Sequence, residues 1–247
     1  MSTIMLLYKE AVGLSRETHA KKKLKTENDF SFAAGVHWMP VAGAEFYAAA
    51  RNYPIVFVEE NKEFRPILLL GLEVGHNEFV DKDNHWKANT YLPAFVRRYP
   101  FVLAETDGKN NEFAVAIDPT YSGWSETEGR ELFNEDGTNS PFLDEMMQFM
   151  NSFTAEMQRT AEFVKELDRL KLLIKKSADI RSADGQLFQV QDLYMVDEEA
   201  FSKISGDELE KLNKSGQLGW VFAHLMSLAN LPNLFDLHKA RKSAENS

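Results

Sequence analysis

Arg51-Asn52-Tyr53-Pro54 and Arg97-Arg98-Tyr99-Pro100 repeat one pattern, Arg-x-Tyr-Pro, each placed between a helical stretch and an apolar run. A guanidinium offers a fixed fork of donors that fits a carboxylate or phosphate, and neighbouring rings offer a face to the body of a ligand. The second copy is the richer one, because Arg98 adds a cation and Trp86, Tyr91 and Phe95 come shortly before it. Arg97, Arg98, Tyr99, Trp86 and Tyr91 are therefore candidate ligand-binding residues for a small anionic or aromatic compound. His37, His85 and Glu45 complete the set as groups that could serve as acid or base if the compound is turned over. The pattern also has a mechanical reading. Proline fixes its own φ and biases the preceding tyrosine toward extended backbone, while arginine in a last helical turn faces the negative end of the helix dipole, so the tetrapeptide turns a helix into a strand.

Other groupings are weaker. The histidines at 19, 37, 76, 85, 224 and 238 show no H-x-x-x-H or H-x-D spacing, so no metal is expected. GHNEFVDKDNHW at 75–86 gathers His76, Asp81, Asp83 and His85, but a calcium loop begun at Asp81 needs glycine where Trp86 stands and glutamate where Leu92 stands. A polar turn is the expectation there. Glu126, Glu128 and Glu131 near Trp124 could pair for acid–base work, yet Ser125-x-x-Glu128 also reads as a capping box that opens a helix. G-x-S-x-G, G-x-x-x-x-G-K-[ST] and G-x-G-x-x-G are all missing, which lowers the case for serine hydrolases and the common nucleotide enzymes. With no cysteine, disulfides, thiolate catalysis and Cys-ligated metals are excluded together, and no cofactor is expected.

The elements that hold these residues are legible in pattern. DFSFAAGVHWMPV (29–41) reads as a strand or extended segment entering Pro40, and AGAEFYAAARN (42–52) as a short helix that ends before Tyr53-Pro54. IVFV, a turn at ENKE and PILLLGLEV complete a helix-plus-hairpin unit. LPAFVRR (92–98), FVLAE, TDGKNN and EFAVAID (112–118) repeat it, and LLIKKSADIR, a turn at Ala183-Asp184-Gly185 and QLFQVQDLYMV give a looser third version. The expected class is α+β, with repeated helix-plus-hairpin units forming an antiparallel or mixed sheet and helices on one face.

Ser140 and Pro141 mark a helix start, and neither glycine nor proline recurs until Gly185, so one long central helix is expected from 141 to about 171. Its apolar residues Leu143, Met146, Met150, Phe153, Met157, Val164 and Leu167 keep a heptad-like spacing interrupted at Thr160. Met147 and Phe149 widen that face, which favours a stripe packed on the sheet, although an oligomer through the 141–171 helix stays open. Ser205-x-x-Glu208 caps a short helix, residues 217–230 form a buried helix stopped by Pro232, and the tail is expected to fray after about 238. Residues 1–247 read as a single compact domain with a weak seam near 139, the α+β half before it and the long helix, third hairpin and C-terminal helices after.

Composition narrows the function. The formal net charge of -10, from 38 acidic and 28 basic residues, repels a phosphate backbone, so nucleic acid is not an expected partner. The basic runs KKKLK (21–25) and HKARK (238–242) read as solvated ends. No window reaches the ~18 apolar residues of a membrane span, which excludes a permease. The opening MSTIMLLYKE carries too short an apolar run for a signal peptide, and a cytoplasmic protein is expected.

Taken together, DFSFA, GAEFYAAARNYPIVF, LLGLEVGHNEFVD, HWKANTYLPAFVRRYPFVLAE, SETEGRELFNEDGTNSP and FAHLMSLANL resemble the bacterial SapC family, in that order and over residues 27–235. The resemblance implies a protein of Gram-negative bacteria, named after a system that assembles a surface layer. It also implies a gene setting shared with halogenase-like flavoproteins and outer-membrane receptors. A soluble accessory or binding protein of a surface-layer, uptake or modification system follows, with a protein partner or small-molecule ligand from the same gene system. An enzyme of unrecognised class and a surface-layer component are the alternatives. The family brings no catalytic residues to carry over.

Overall fold

The computed structural model describes residues 5–26, 28–105, 113–181 and 187–245. It opens with β1 (Val12–Gly13), the helical turn α1 (Arg16–His19), β2 (Lys23–Leu24) and β3 (Trp38–Pro40). The first repeat follows as α2 (Phe46–Ala49), β4 (Ile55–Glu60) and β5 (Glu63–Leu69), and the second as α3 (Ala94–Arg97), β6 (Phe101–Glu105) and β7 (Phe113–Ile117). Short strands β8 (Trp124–Ser125) and β9 (Arg130–Glu131) lead to the long helix α4 (Pro141–Arg169). After it come the third hairpin, β10 (Leu173–Arg181) and β11 (Leu187–Val196), then α5 (Glu198–Phe201), α6 (Gly206–Lys214), α7 (Leu218–Ser227) and α8 (Leu231–Glu245). The turns expected at TDGKNN and at Ala183-Asp184-Gly185 lie outside the described residues.

The fold is α+β, and among the described residues all strand pairings are antiparallel. The hairpins divide between two sheets. The first and third share a five-stranded sheet in the order β10-β11-β4-β5-β3, whereas the second pairs with β1 to make β1-β7-β6. A minimal third sheet, β8-β2-β9, lies under the start of the long helix.

Helix α4 starts where Ser140 accepts a hydrogen bond from the Leu143 N–H at 3.2 Å, with Pro141 in its first turn. Phe142, Leu143 and Met150 join Phe101, Ile117 and Leu132 in a smaller core, while Phe153, Phe163, Val164 and Leu167 enter the main one. The apolar stripe is therefore used within the chain. Thr160, the break in the stripe, is 1% exposed and bonded on both sides: its hydroxyl accepts from the Gly43 N–H at 2.7 Å and donates to the Glu156 carbonyl at 2.6 Å. It anchors α4 to the turn preceding α2.

Three local expectations are corrected. Pro232 does not stop the chain's last helix, because it occupies the first turn of α8, where a missing N–H leaves no intrahelical bond unmade. The tail after 238 is helical to Glu245, and the HKARK run is held to the body. Arg241 contacts Glu78 at 3.1 Å and Glu73 at 2.9 Å, His238 contacts Glu78 at 3.1 Å, and Lys242 contacts Glu73 at 2.7 Å. Ser125 does cap, accepting from the N–H groups of Thr127 and Glu128 at 3.2 and 3.1 Å, but the segment is a turn between β8 and β9 and no helix follows. No helix of the described residues is long and apolar enough to cross a membrane.

Candidate functional site

The two arginines that end α3 point to different places. Arg97 is exposed; its Nε donates to the Leu92 carbonyl at 3.1 Å and its Nη2 to the Tyr91 hydroxyl at 3.3 Å. That hydroxyl donates to Glu45 Oε1 at 2.8 Å. Glu45 is buried and also accepts from the N–H groups of Ala94 at 2.7 Å and Ala42 at 3.2 Å, so its carboxylate caps the start of α3. Burial, with the nearby Glu45 charge adding to it, pushes the Tyr91 hydroxyl up to about 12. Glu45, Tyr91 and Arg97 are thus brought together, in a network whose acceptors are satisfied by the fold.

Trp86 belongs to the same network through the first repeat. Its indole N–H donates to the Tyr53 hydroxyl at 3.2 Å, the Tyr53 hydroxyl donates to the Tyr91 carbonyl, and the Tyr91 N–H donates to Asn52 Oδ1 at 2.9 Å. Asn52 and Tyr53 of one Arg-x-Tyr-Pro therefore hold the chain that enters the other. Arg51 takes no part and lies at a separate recess beside α8 with Lys87 and Asn233. The Tyr99–Pro100 bond is cis.

Arg98 turns inward. It is 8% exposed, and its guanidinium lies 4.1 Å from the Phe95 ring centre, 5.4 Å from that of Phe153 and 5.6 Å from that of Tyr8. The Tyr8 hydroxyl interacts with this guanidinium while donating to the Phe101 carbonyl at 2.6 Å; burial pushes its pKa up to about 12, with Arg98 opposing. Burial likewise lowers Arg98, Tyr8 partly offsetting it, and the guanidinium stays charged because its ordinary value is so high.

Arg98 lines a cleft of about 550 Å³ between α4 and the β4–β5 hairpin. The end near Arg98 is walled by the buried side chains Phe95, Met150 and Phe153, the middle by Met157, Pro66 and Val164, and the open end by the exposed Lys62, Glu63, Lys165 and Asp168. Its size and its apolar walls with one inner charge are those of a small-molecule site. At the open end Arg65 is paired with Glu60 at 3.3 Å and Glu63 at 3.8 Å, and Lys165 with Glu162 at 3.0 Å.

The remaining candidates lie elsewhere. Tyr99 stacks on Phe32 at 4.0 Å, donates to Asp118 Oδ2 at 3.2 Å and does not line the cleft. His37 packs edge-on against Trp38, and His85 sits in the Asp81 turn, where Asp81 Oδ1 accepts from the N–H groups of Asp83 and His85 at 2.9 Å. That stretch is the polar turn read from its sequence. Neither histidine lines the cleft, and Glu45 is linked to Arg97 through Tyr91 and not to the cleft that Arg98 lines. The cleft's α4 wall was masked in the sequence by its own apolarity, since Met150, Phe153 and Met157 look like core.

A family model described as SapC matches residues 14–234. The chain belongs to the SapC family. The SapC match takes in both Arg-x-Tyr-Pro copies, all of α4 and all of α7, and stops before the residues that pin α8. No curated protein and no solved structure matches the chain.

Proposed function

We propose that this SapC-family protein is a non-enzymatic, cytoplasmic accessory protein that binds a small anionic or aromatic compound in the α4 cleft, within a surface-layer, uptake or modification system. One observation carries the reading: a buried guanidinium set among rings at the inner end of an otherwise apolar cleft. A desolvated cation gives such a cleft its orientation and its preference for anions, since a hydrogen bond to a charged group contributes about 1.5–3 kcal/mol. Glu45, Tyr91 and Arg97 act as scaffold, because each bonds to backbone or to another member of the set.

Native mass spectrometry of protein purified without denaturation tests the reading. The expected result is a bound small molecule that is lost from Ala161→Trp, which fills the cleft, and weakened in Arg98→Met, while Arg97→Ala keeps it. Retention of the molecule by Ala161→Trp places it elsewhere and ends this reading. Turnover of such a compound by the purified protein ends the non-enzymatic part.

A further inference from the structure

We propose that the exposed face of α7 pairs with the same face of a second copy of this chain, in an antiparallel two-fold dimer that seats Tyr47 of each copy in a recess of the other.

The face is bare and uncharged. Between Lys214 and Asp236 the sequence holds no Asp, Glu, Lys or Arg, and its one histidine there, His224, is buried. Gly219, Phe222, Met226 and Ala229 recur at steps of three, four and three, so they share one side of α7 and of the turn Leu228–Asn230 that continues it. That is the spacing of a helix seam, which a facing helix fills with side chains at the same steps. Phe222 is 50% exposed and Met226 74%. Tyr47 of α2, 61% exposed, extends the patch, because its hydroxyl lies where a side chain at 219 would begin.

A second copy suits this face through its own residues. With the two-fold axis midway between positions 222 and 226, Phe222 faces Met226 of the second copy, a ring against a thioether, and Gly219 faces Ala229. The stripe leads into a recess of about 260 Å³, since Arg51 comes one turn after Tyr47 and Asn230 one turn after Met226, and both line it. The charged residues of the recess are Arg51, Lys87 and Asp236, two cations and one carboxylate, and none of them is in an ion pair among the described residues. The antiparallel crossing brings Tyr47 of the second copy to the mouth of this recess, where its ring meets the two cations. The net charge of -10 opposes self-association, and this end of the seam carries the opposite sign.

The area is that of a reversible dimer. At ~200 Å² for a large side chain, Tyr47, Phe222 and Met226 leave roughly 370 Å² bare in each copy. With the half-buried Leu218 and Leu225 beside them, two copies cover on the order of 1,000 Å², the low end for a specific complex. A dissociation constant on the order of 10 μM suits a contact of that size.

Sedimentation velocity of the full chain from about 1 to about 300 μM, which brackets that constant, tests the proposal. The dimer should be tighter in about 0.5 M salt than in about 0.05 M, because screening weakens the repulsion of two negative chains. Met226→Glu should weaken it roughly a hundredfold or more, by placing two carboxylates in the seam. Tyr47→Ala should weaken it roughly tenfold, since symmetry removes the contact twice. Val74→Glu, at an exposed apolar position outside the stripe, should leave it unchanged. The chain has no cysteine, so introduced ones report the register. A mixture of Phe222→Cys and Met226→Cys should form disulfides faster than Met226→Cys alone, and the reverse order would overturn the antiparallel pairing. A wild type that stays monomeric throughout overturns the proposal, as does a dimer that Met226→Glu leaves intact. Binding of a monomeric wild type to phosphatidylglycerol vesicles, lost in Met226→Glu, would give the face to lipid and overturn it as well.

Discussion

The Tyr53 hydroxyl donates to the Tyr91 carbonyl, so the tyrosine of the first Arg-x-Tyr-Pro fixes the segment that leads into the second. The repeat is in this respect a construction device whose copies are tied to each other. The extra cation of the second copy, Arg98, is the one of these residues that lines the α4 cleft among the described residues.

Tyr53→Phe should therefore destabilise the protein by about 1–2 kcal/mol, because the half-buried Tyr91 carbonyl and Trp86 N–H lose their shared partner. Arg51→Ala, at an exposed position, should change stability by less than about 0.5 kcal/mol. Urea unfolding of the two variants checks the contrast. Equal effects would contradict the assignment of the tie to Tyr53.

Thr160→Val should cost about 1–3 kcal/mol, since it keeps the shape and removes the acceptor for the Gly43 N–H. Thr160→Ser should recover most of that loss. Similar midpoints for Val and Ser would show that the hydroxyl is not an anchor.

His224 gives the protein a pH dependence of known sign. The ring is fully buried, with Nδ1 at 2.8 Å from the Ile55 carbonyl and Nε2 accepting from the Val196 N–H at 3.1 Å, so it joins α7 to β4 and β11 as a neutral group. Burial pushes its pKa down to about 4, the Ile55 carbonyl opposing. An unfolded chain binds that proton near pH 6.5 and the folded one only near 4, so stability is full above the higher value and falls by about 3 kcal/mol as pH drops through this window. Unfolding free energies of wild type and His224→Gln between these pH values check it; the variant should lose this part of the slope. The same slope in both would assign it to other groups.

Arg241→Ala should release α8. The Glu78 side chain is 2% exposed and accepts from Arg241, so removing the guanidinium takes away the charge that meets its carboxylate and leaves the His238 ring beside it. A loss of about 1–3 kcal/mol is expected, with proteolysis beginning in the tail. Unchanged tail cleavage would show that Arg241 is not what holds the helix, leaving its buried Leu231, Leu234 and Phe235 and the contacts of His238 and Lys242 to do so.

These cases mark what the sequence carried. The start of α4 was readable because Ser140, Pro141 and Leu143 act on one another locally. Thr160 looked like a flaw because its partner, Gly43, lies far off in the chain. Pro232 and the Ser125 cap were misread since each device serves a helix's first turn or a tight turn equally well, and the choice belongs to what packs next. Arg98 was singled out by its type and its neighbours, but its separation from Arg97 depends on the helical rotation of consecutive residues to different faces of α3. The cleft itself required the pairing of α4 with a hairpin from another part of the chain.

Methionine-methyl NMR during addition of benzoate, a probe both anionic and aromatic, is the most direct test, because methionines mark both the cleft and its outside. Met150 and Met157 line the cleft, whereas Met226 is 74% exposed on α7. The methyl signals of Met150 and Met157 should shift in a saturable way, Met226 should stay in place, and Arg98→Met should weaken the effect roughly tenfold or more. Shifts at Met226 with none at Met150 and Met157 would contradict a binding cleft along α4.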